Sequence, residues 1–371
     1  MRFLLAAAGI TLATGRLVMG QATPAGTSGP PDWRYTLSIH DIARADDDQK
    51  LTELLAANPD RVLVRLQDGR TVAHAAAESG ALKSLAVLGK VKADLNVTDA
   101  RHRTPLTIAI GMHFTNTVKE LIDLGADVNK PGAPDPAADG STETNDSTPR
   151  LPLNIAIRRE YPDVLKLLLA AKADVNAKDA DGSTALTTAA SVGNWDFATQ
   201  LLEAGADVNA ADAKGMSALL YAAAAANEKQ VAALLARNAD PRATDKSGRS
   251  GLSLTQAGEI WKMLVAKGAD VNGVVGGRTP LQYFIQEGNL ELLTIWLEYK
   301  PDPFISDRQG HTAKELAKIA VGRENSERRR KIVELVERYQ AQYLADALKQ
   351  EAAAQPATAP AMTQPATRPR T

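Results

Sequence analysis

The chain has 371 residues, a formal net charge of −1, 44% hydrophobic and only 4% aromatic residues, and not one cysteine. The missing cysteines exclude a disulfide framework, a thiol nucleophile and thiolate zinc sites. The near-balanced charge predicts neither nucleic-acid nor membrane attraction in bulk, so partner choice has to come from local patches.

At the N-terminus Arg2 precedes an apolar run from Phe3 to Leu12 and then small residues around Val18–Ala22. That order predicts a signal peptide over 1–22, export to the periplasm or beyond a bacterial envelope, and no membrane span after cleavage. Residues 23–32, rich in Pro, Gly, Ser and Thr, predict a flexible linker. At the other end, 352–371 repeats Ala, Pro, Thr and Gln, has little to bury, and predicts a disordered tail.

Between these ends, over 33–351, one phrase keeps returning. A start reads Thr104-Pro105-Leu106, Leu151-Pro152-Leu153, Thr184-Ala185-Leu186, Ser217-Ala218-Leu219, Ser250-Gly251-Leu252 and Thr279-Pro280-Leu281. A stop ending in Ala-Asp-Val-Asn closes at Asn129, Asn176, Asn209 and Asn272. The starts at 71, 104, 151, 184, 217, 250, 279 and 312 fall mostly 33 apart, and a sustained period of that length means a stacked solenoid rather than one globular core.

Each unit follows from local chemistry. Thr104 or Thr279 caps a first helix, with Pro105 or Pro280 in the first turn, where a missing N–H costs nothing. Gly80 or Gly193 turns the chain into a second helix with apolar residues at i, i+3 and i+4: Val118, Leu121, Ile122; Leu165, Leu168, Leu169; Val231, Leu234, Leu235. Gly125, Gly205 and Gly268 then stand where a left-handed residue ends that helix, and Asp-Val-Asn suits the tight turn that follows. One such helix pair cannot bury its stripe alone, so neighbours must stack.

The pattern resembles the ankyrin repeat family, whose consensus carries Thr-Pro-Leu-His-x-Ala-Ala, a central Gly and Gly-Ala-Asp-x-Asn. The likeness covers roughly 38 to 350 and implies an all-α solenoid of helix-turn-helix units, eight or nine in all, joined by short β-turn or hairpin fingers. It places an N-terminal cap at 38–66 and repeats beginning near 68, 99, 146, 179, 212, 245, 275 and 307. The family binds partner proteins through its fingers and first helices. Three departures stand out: an insertion over 130–147 lengthening one finger by about fourteen residues, a shortened unit at Ser250, and an overlong last helix that includes Ile332, Val336, Tyr339, Tyr343 and Leu344.

No Gly-rich phosphate loop, Gly-x-Ser-x-Gly elbow or His-Glu-x-x-His motif is present, so neither catalysis nor a cofactor is expected. His74 occupies the His of the start and is expected to tie backbone groups together rather than bind metal. Asp135, Asp139, Gly140, Thr142, Glu143 and Asp146 in the long finger resemble a calcium loop only faintly, because Ala137 replaces a ligand position and no helix pair flanks them. The residue before each start is more suggestive: Arg70, Arg103, Arg150, Arg249 and Arg278, interrupted at Ser183 and Met216, with Arg101, Lys214, Lys246 and Arg308 beside them. In an ankyrin stack these line the finger edge and would engage an acidic protein surface; equally, a solvated charge at a turn needs no partner. The groove of first helices offers Met112, Arg158 and Arg159, without the aromatic strip that single-stranded nucleic acid requires. The expected function is a non-enzymatic protein-binding scaffold of the cell envelope, either a monomer or weakly self-associating through its C-terminal helix, and the alternative is a structural or self-associating element acting through that long helix.

Overall fold

A computed structural model describes residues 38–133, 149–274, 277–324 and 326–354. The expectations for the signal peptide, the linker, the calcium-like stretch and most of the tail lie outside those residues. Among the described residues eighteen α-helices follow one another, and β structure is confined to isolated bridges.

The helices form nine consecutive pairs. They are α1 (Ile39–Arg44) with α2 (Asp48–Ala57), α3 (Val72–Ser79) with α4 (Leu82–Lys90), α5 (Pro105–Gly111) with α6 (Thr115–Asp123), and α7 (Pro152–Arg158) with α8 (Pro162–Ala170). Next come α9 (Ala185–Val192) with α10 (Trp195–Glu203), α11 (Ala218–Ala224) with α12 (Glu228–Ala236), and α13 (Gly251–Leu254) with α14 (Gly258–Ala266). The last are α15 (Pro280–Glu287) with α16 (Leu290–Leu297), and α17 (Ala313–Arg323) with α18 (Glu327–Ala354).

Helix starts carry the predicted caps. The Thr104 hydroxyl accepts from the Thr107 N–H at 3.1 Å, Thr184 from Thr187 at 3.3 Å and Thr279 from Gln282 at 3.3 Å. Each such cap contributes about 1 kcal/mol. Gly80, Gly193 and Gly288 end first helices at φ 71, 77 and 72°. The same corner is turned by His113, Glu160 and Ala226 at φ 54, 56 and 51°, a left-handed conformation that costs a side-chain-bearing residue roughly 1–2 kcal/mol.

First helices stack on first helices (α1 on α3, then α5, α7, α9, α11 and α13), and α2, α4, α6 and α8 stack likewise behind them. Close approach on the first layer is helped by its many small buried residues, Ala73, Ala76, Ala77, Ala109, Ala156, Ala189 and Ala222 among them. Behind them Leu85, Leu88, Val118, Leu121, Leu165, Leu168, Leu201 and Leu234 fill the space between layers.

The C-terminal units depart from this pattern. α13 has a single turn, and its loose end is satisfied by the Trp261 indole N–H, which lies 3.1 Å from the Leu252 carbonyl and 3.2 Å from that of Thr255. Trp261 packs with Phe284 (ring centroids 4.9 Å apart) and edge-on to Trp296 (5.1 Å), so aromatic bulk replaces the missing turns. α18 closes the stack with Ile332 and Val336 buried, the Tyr339 hydroxyl donating to the Pro301 carbonyl at 2.7 Å, and Tyr343 against Phe304. Val336 and Tyr339 of this helix are therefore engaged within the chain, while Leu344 and Leu348 remain exposed on it.

Candidate protein-binding surface

Fingers occupy the links between pairs, and several are organised by an aspartate. In the finger before α5 the Asp99 N–H donates to the Arg103 carbonyl at 3.0 Å, and Asp99 Oδ1 accepts the N–H groups of Arg101 and Arg103, both at 2.9 Å. Asp212, Asp245 and Asp307 repeat the arrangement with the residues two and four further on. The fourth finger residue takes positive φ, as Gly182, Gly215, Gly248 and Gly310 do, and His102 does so at 60°. Neighbouring fingers are stitched by backbone bonds such as Ala100 N–H to the Asp68 carbonyl (2.8 Å) and Lys246 N–H to that of Lys214 (2.9 Å).

A second ladder explains the Asp-Val-Asn stop. The side-chain oxygen of each Asn accepts the N–H of the Asp one unit on: Asn96 from Asp127 at 2.7 Å, then Asn129 from Asp174, Asn176 from Asp207, and Asn209 from Asp240, each at 2.8 Å. It breaks where Arg242 stands in place of Asn and reaches instead to the Gly268 carbonyl at 2.7 Å. Beside that break lies a recess of about 650 Å³ between Arg242, Thr244 and Val271. The ladder resumes with Asn272 accepting from Asp302 at 2.8 Å.

A third set of bonds fixes the residue before each start. His40 Nε2 bonds the Arg70 carbonyl (3.2 Å), His74 Nε2 that of Arg103 (3.0 Å), Asn154 that of Ser183 (3.4 Å) and Gln282 that of His311 (3.1 Å). His74 also accepts the Thr71 N–H on Nδ1 at 3.1 Å, which makes Nε2 the protonated nitrogen of a neutral ring. Burial pushes its pKa below the usual histidine value. His74 is thus a backbone tie, as its place in the start implied.

The arginine edge proves to be two sets of residues with different fates. Arg103 is 5% exposed and pairs with the buried Asp99 at 2.7 Å, so its guanidinium staples the finger from inside and is closed to a partner. Arg249 pairs with Asp245 at 2.7 Å but leaves half its side chain in solvent. Arg70 is held by Asp68 (2.6 Å) and Glu78 (2.8 Å), and Arg150 lies 3.6 Å from Asp181. Where the arginine is missing, the finger aspartate finds another donor: Asp212 accepts the Tyr221 hydroxyl at 2.8 Å, and Asp179 accepts the Leu151 N–H at 2.6 Å. Tyr221 thereby fills the gap at Met216, whereas at the Ser183 gap the second carboxylate oxygen of Asp179 is buried without a hydrogen bond among the described residues. Burial raises the Asp179 pKa, and burial with the Asp212 bond raises that of Tyr221 to about 12.

Beside these staples, Arg101, Lys214, Lys246 and Arg308 stand at the finger tips, exposed. Among the described residues no carboxylate pairs with any of the four. Arg278, by contrast, is half-buried and faces a cavity near the last units.

In the groove, Met112 packs against the core, Arg159 is half-buried, and Arg158 pairs with Asp181 at 3.3 Å. Asp181 thus joins Arg150 and Arg158 across two units, a junction that repeat spacing did not show. At the neighbouring turns His113 stacks flat on Tyr161 (3.7 Å, 1° between planes) and donates to Asp163 at 3.1 Å, which also accepts the Thr115 hydroxyl. Desolvation pulls the Asp163 carboxyl up, but those hydrogen bonds outweigh it and hold the pKa at about 2. Among the described residues no three His, Asp or Glu side chains converge as metal ligands, and no helix is long and apolar enough to cross a membrane.

Stacked helix pairs of small inner residues, with hydrogen-bonded fingers along one edge, define a repeat scaffold. The model for ankyrin repeats (three copies) matches residues 39–131 and 152–245, and the chain belongs to the ankyrin repeat family. Ankyrin repeats generally mediate protein–protein interaction and are typically non-enzymatic. Among solved structures, the chain is similar to the ankyrin repeat domain of Bcl-3, a member of the IkappaB protein family, at 19% identity and a TM-score of 0.52, over 62% of this chain and 98% of that one. It is also similar to the human ASB11 ankyrin repeat domain at 20% identity and a TM-score of 0.47, over 63% and 99%. No curated protein matches it significantly.

Proposed function

We propose that this chain is a non-enzymatic scaffold that binds an acidic protein surface through its finger tips, chiefly Arg101, Lys214, Lys246, Arg249 and Arg308. The observation that carries this reading is a sorting of charge. The side chains of Asp99, Asp245 and Asp307 are only 1, 2 and 2% exposed, because the finger backbone uses their oxygens, whereas the basic tips stand in solvent. A sequence balanced in charge thus presents a finger edge enriched in positive groups. Such an edge raises association rates and selects against basic partners. The Arg2 and Phe3–Leu12 segment supports export to a bacterial periplasm or beyond as the setting.

The test is quantitative capture from the extracytoplasmic fraction with the full chain, beside a variant carrying Arg101→Glu, Lys214→Glu, Lys246→Glu and Arg308→Glu. Among the described residues these side chains hold no ion pair, so the fold should survive. The expected result is an acidic protein whose binding weakens at least about tenfold in the variant and in raised salt. A partner retained equally by both would move the site to the groove.

A further inference from the structure

A cavity of about 310 Å³ opens between α15, α17 and the start of α18, and its chemistry is unlike that of the fingers. Three arginines line it: Arg278 before α15, Arg323 at the end of α17, and Arg329 in the first turns of α18. Arg329 is held in place, its Nη1 donating to the Ile285 carbonyl at 2.7 Å and its guanidinium packed over Gly288, where a Cβ would come within 2.7 Å. Arg278 is the anomaly. Its Nε is buried with no hydrogen-bond partner, and among the described residues it makes neither a hydrogen bond nor an ion pair.

A guanidinium carries five N–H donors and cannot shed its charge, so a buried donor without an acceptor is costly. The negative groups on the cavity wall do not answer it. Glu324 lies 3.7 Å from Arg329 Nε with two thirds of its side chain in solvent, and Glu287 is exposed at the rim. His311 Nδ1, also on the wall, is likewise buried without a hydrogen bond, 3.5 Å from Asp307 and outside bonding geometry.

We infer that this cavity is a binding site for a small oxyanion, a carboxylate or phosphate group, which completes the donors of Arg278 with help from Arg323 and Arg329. Planar guanidinium forks match both groups, and both are stronger acceptors than water. The site does not depend on the finger tips, so it stands whether or not they bind a protein.

The experiment titrates sodium phosphate, and separately sodium acetate, into the full chain at ionic strength fixed with sodium chloride, following binding by calorimetry and the melting temperature. Saturable binding with a rising melting temperature is expected for at least one anion, and the stronger of the two arms identifies the group. Arg278→Gln and Arg323→Gln should each weaken it about tenfold, as expected for one charge-assisted bond. Arg328→Gln, on α18 but off the cavity wall, should leave it unchanged. Because Arg323 is exposed and, among the described residues, holds no ion pair, its variant is informative even if Arg278→Gln folds poorly. The proposal is overturned if neither anion exceeds chloride, or if folded Arg278→Gln and Arg323→Gln bind as tightly as the wild type, which would leave only water at Arg278.

Discussion

The units from α3 to α12 and those from α13 onward build the same stack with different materials. In the first region, alanines let the first helices approach closely, and order is kept by repeated backbone bonds through Asn129, Asn176, Asn209 and the finger aspartates. In the second, the Asn ladder lapses at Arg242, a helix shrinks to one turn, and Trp261, Phe284, Trp296 and Tyr339 supply the contacts. A repeat can therefore lose its consensus so long as another group answers the same orphaned backbone atoms. Trp261 does this for α13, and α18 covers the face the last unit would otherwise expose.

The largest expected effect tests the regular region. Asp99→Ala removes the acceptor of two finger N–H groups and strands the buried Arg103, and breaking a buried pair in this way costs about 3–5 kcal/mol. Asp245→Ala should cost less, because Arg249 can turn to water. Urea unfolding of both variants measures the difference; equal losses would show that the arginine staple is not what matters.

In the irregular region the contrast lies between two buried tryptophans. The Trp261 N–H serves two carbonyls, whereas the Trp296 N–H has no partner among the described residues. Trp261→Phe should therefore be more destabilising than Trp296→Phe by about 1–3 kcal/mol, the difference between losing a made bond and removing an unmade one. Thermal melts of the two variants decide it.

A smaller effect comes from pH. Because burial lowers the His74 pKa in the folded chain, the unfolded chain binds the proton more readily, and stability falls as pH drops below about 6.5 toward the folded value. His40, lowered for the same reason, adds to that slope. His74→Gln should flatten the slope in part, since Gln282 makes the equivalent bonds to Thr279 and His311 without titrating. Urea midpoints at several pH values between 7.5 and 5 would show it, and an unchanged slope would refute the assignment.

The smallest expected effect is a gain. Ala226→Gly, which relieves the left-handed alanine, should raise stability by up to about 1 kcal/mol after the flexibility that glycine adds to the unfolded chain. A loss in the melting temperature would mean that the Ala226 methyl makes contacts outweighing its strain.

The sequence alone determined the repeat, its period and the family, because capping, turning and stripe formation depend on residues three or four apart, and Thr104-Pro105-Leu106 or Gly205-Ala206-Asp207 carry those rules on their face. It also assigned His74 its tie and foresaw the short helix at Ser250. Only the tertiary structure decided which charges face out. Arg103 and Lys246 look alike as basic finger residues, yet Arg103, four residues past Asp99, folds back onto that buried carboxylate, while Lys246, directly after Asp245 at the tip, stands in solvent. The Arg278 cavity was likewise hidden: Arg278 lies far along the chain from Arg323 and Arg329, and their meeting depends on how α17 and α18 pack back onto α15.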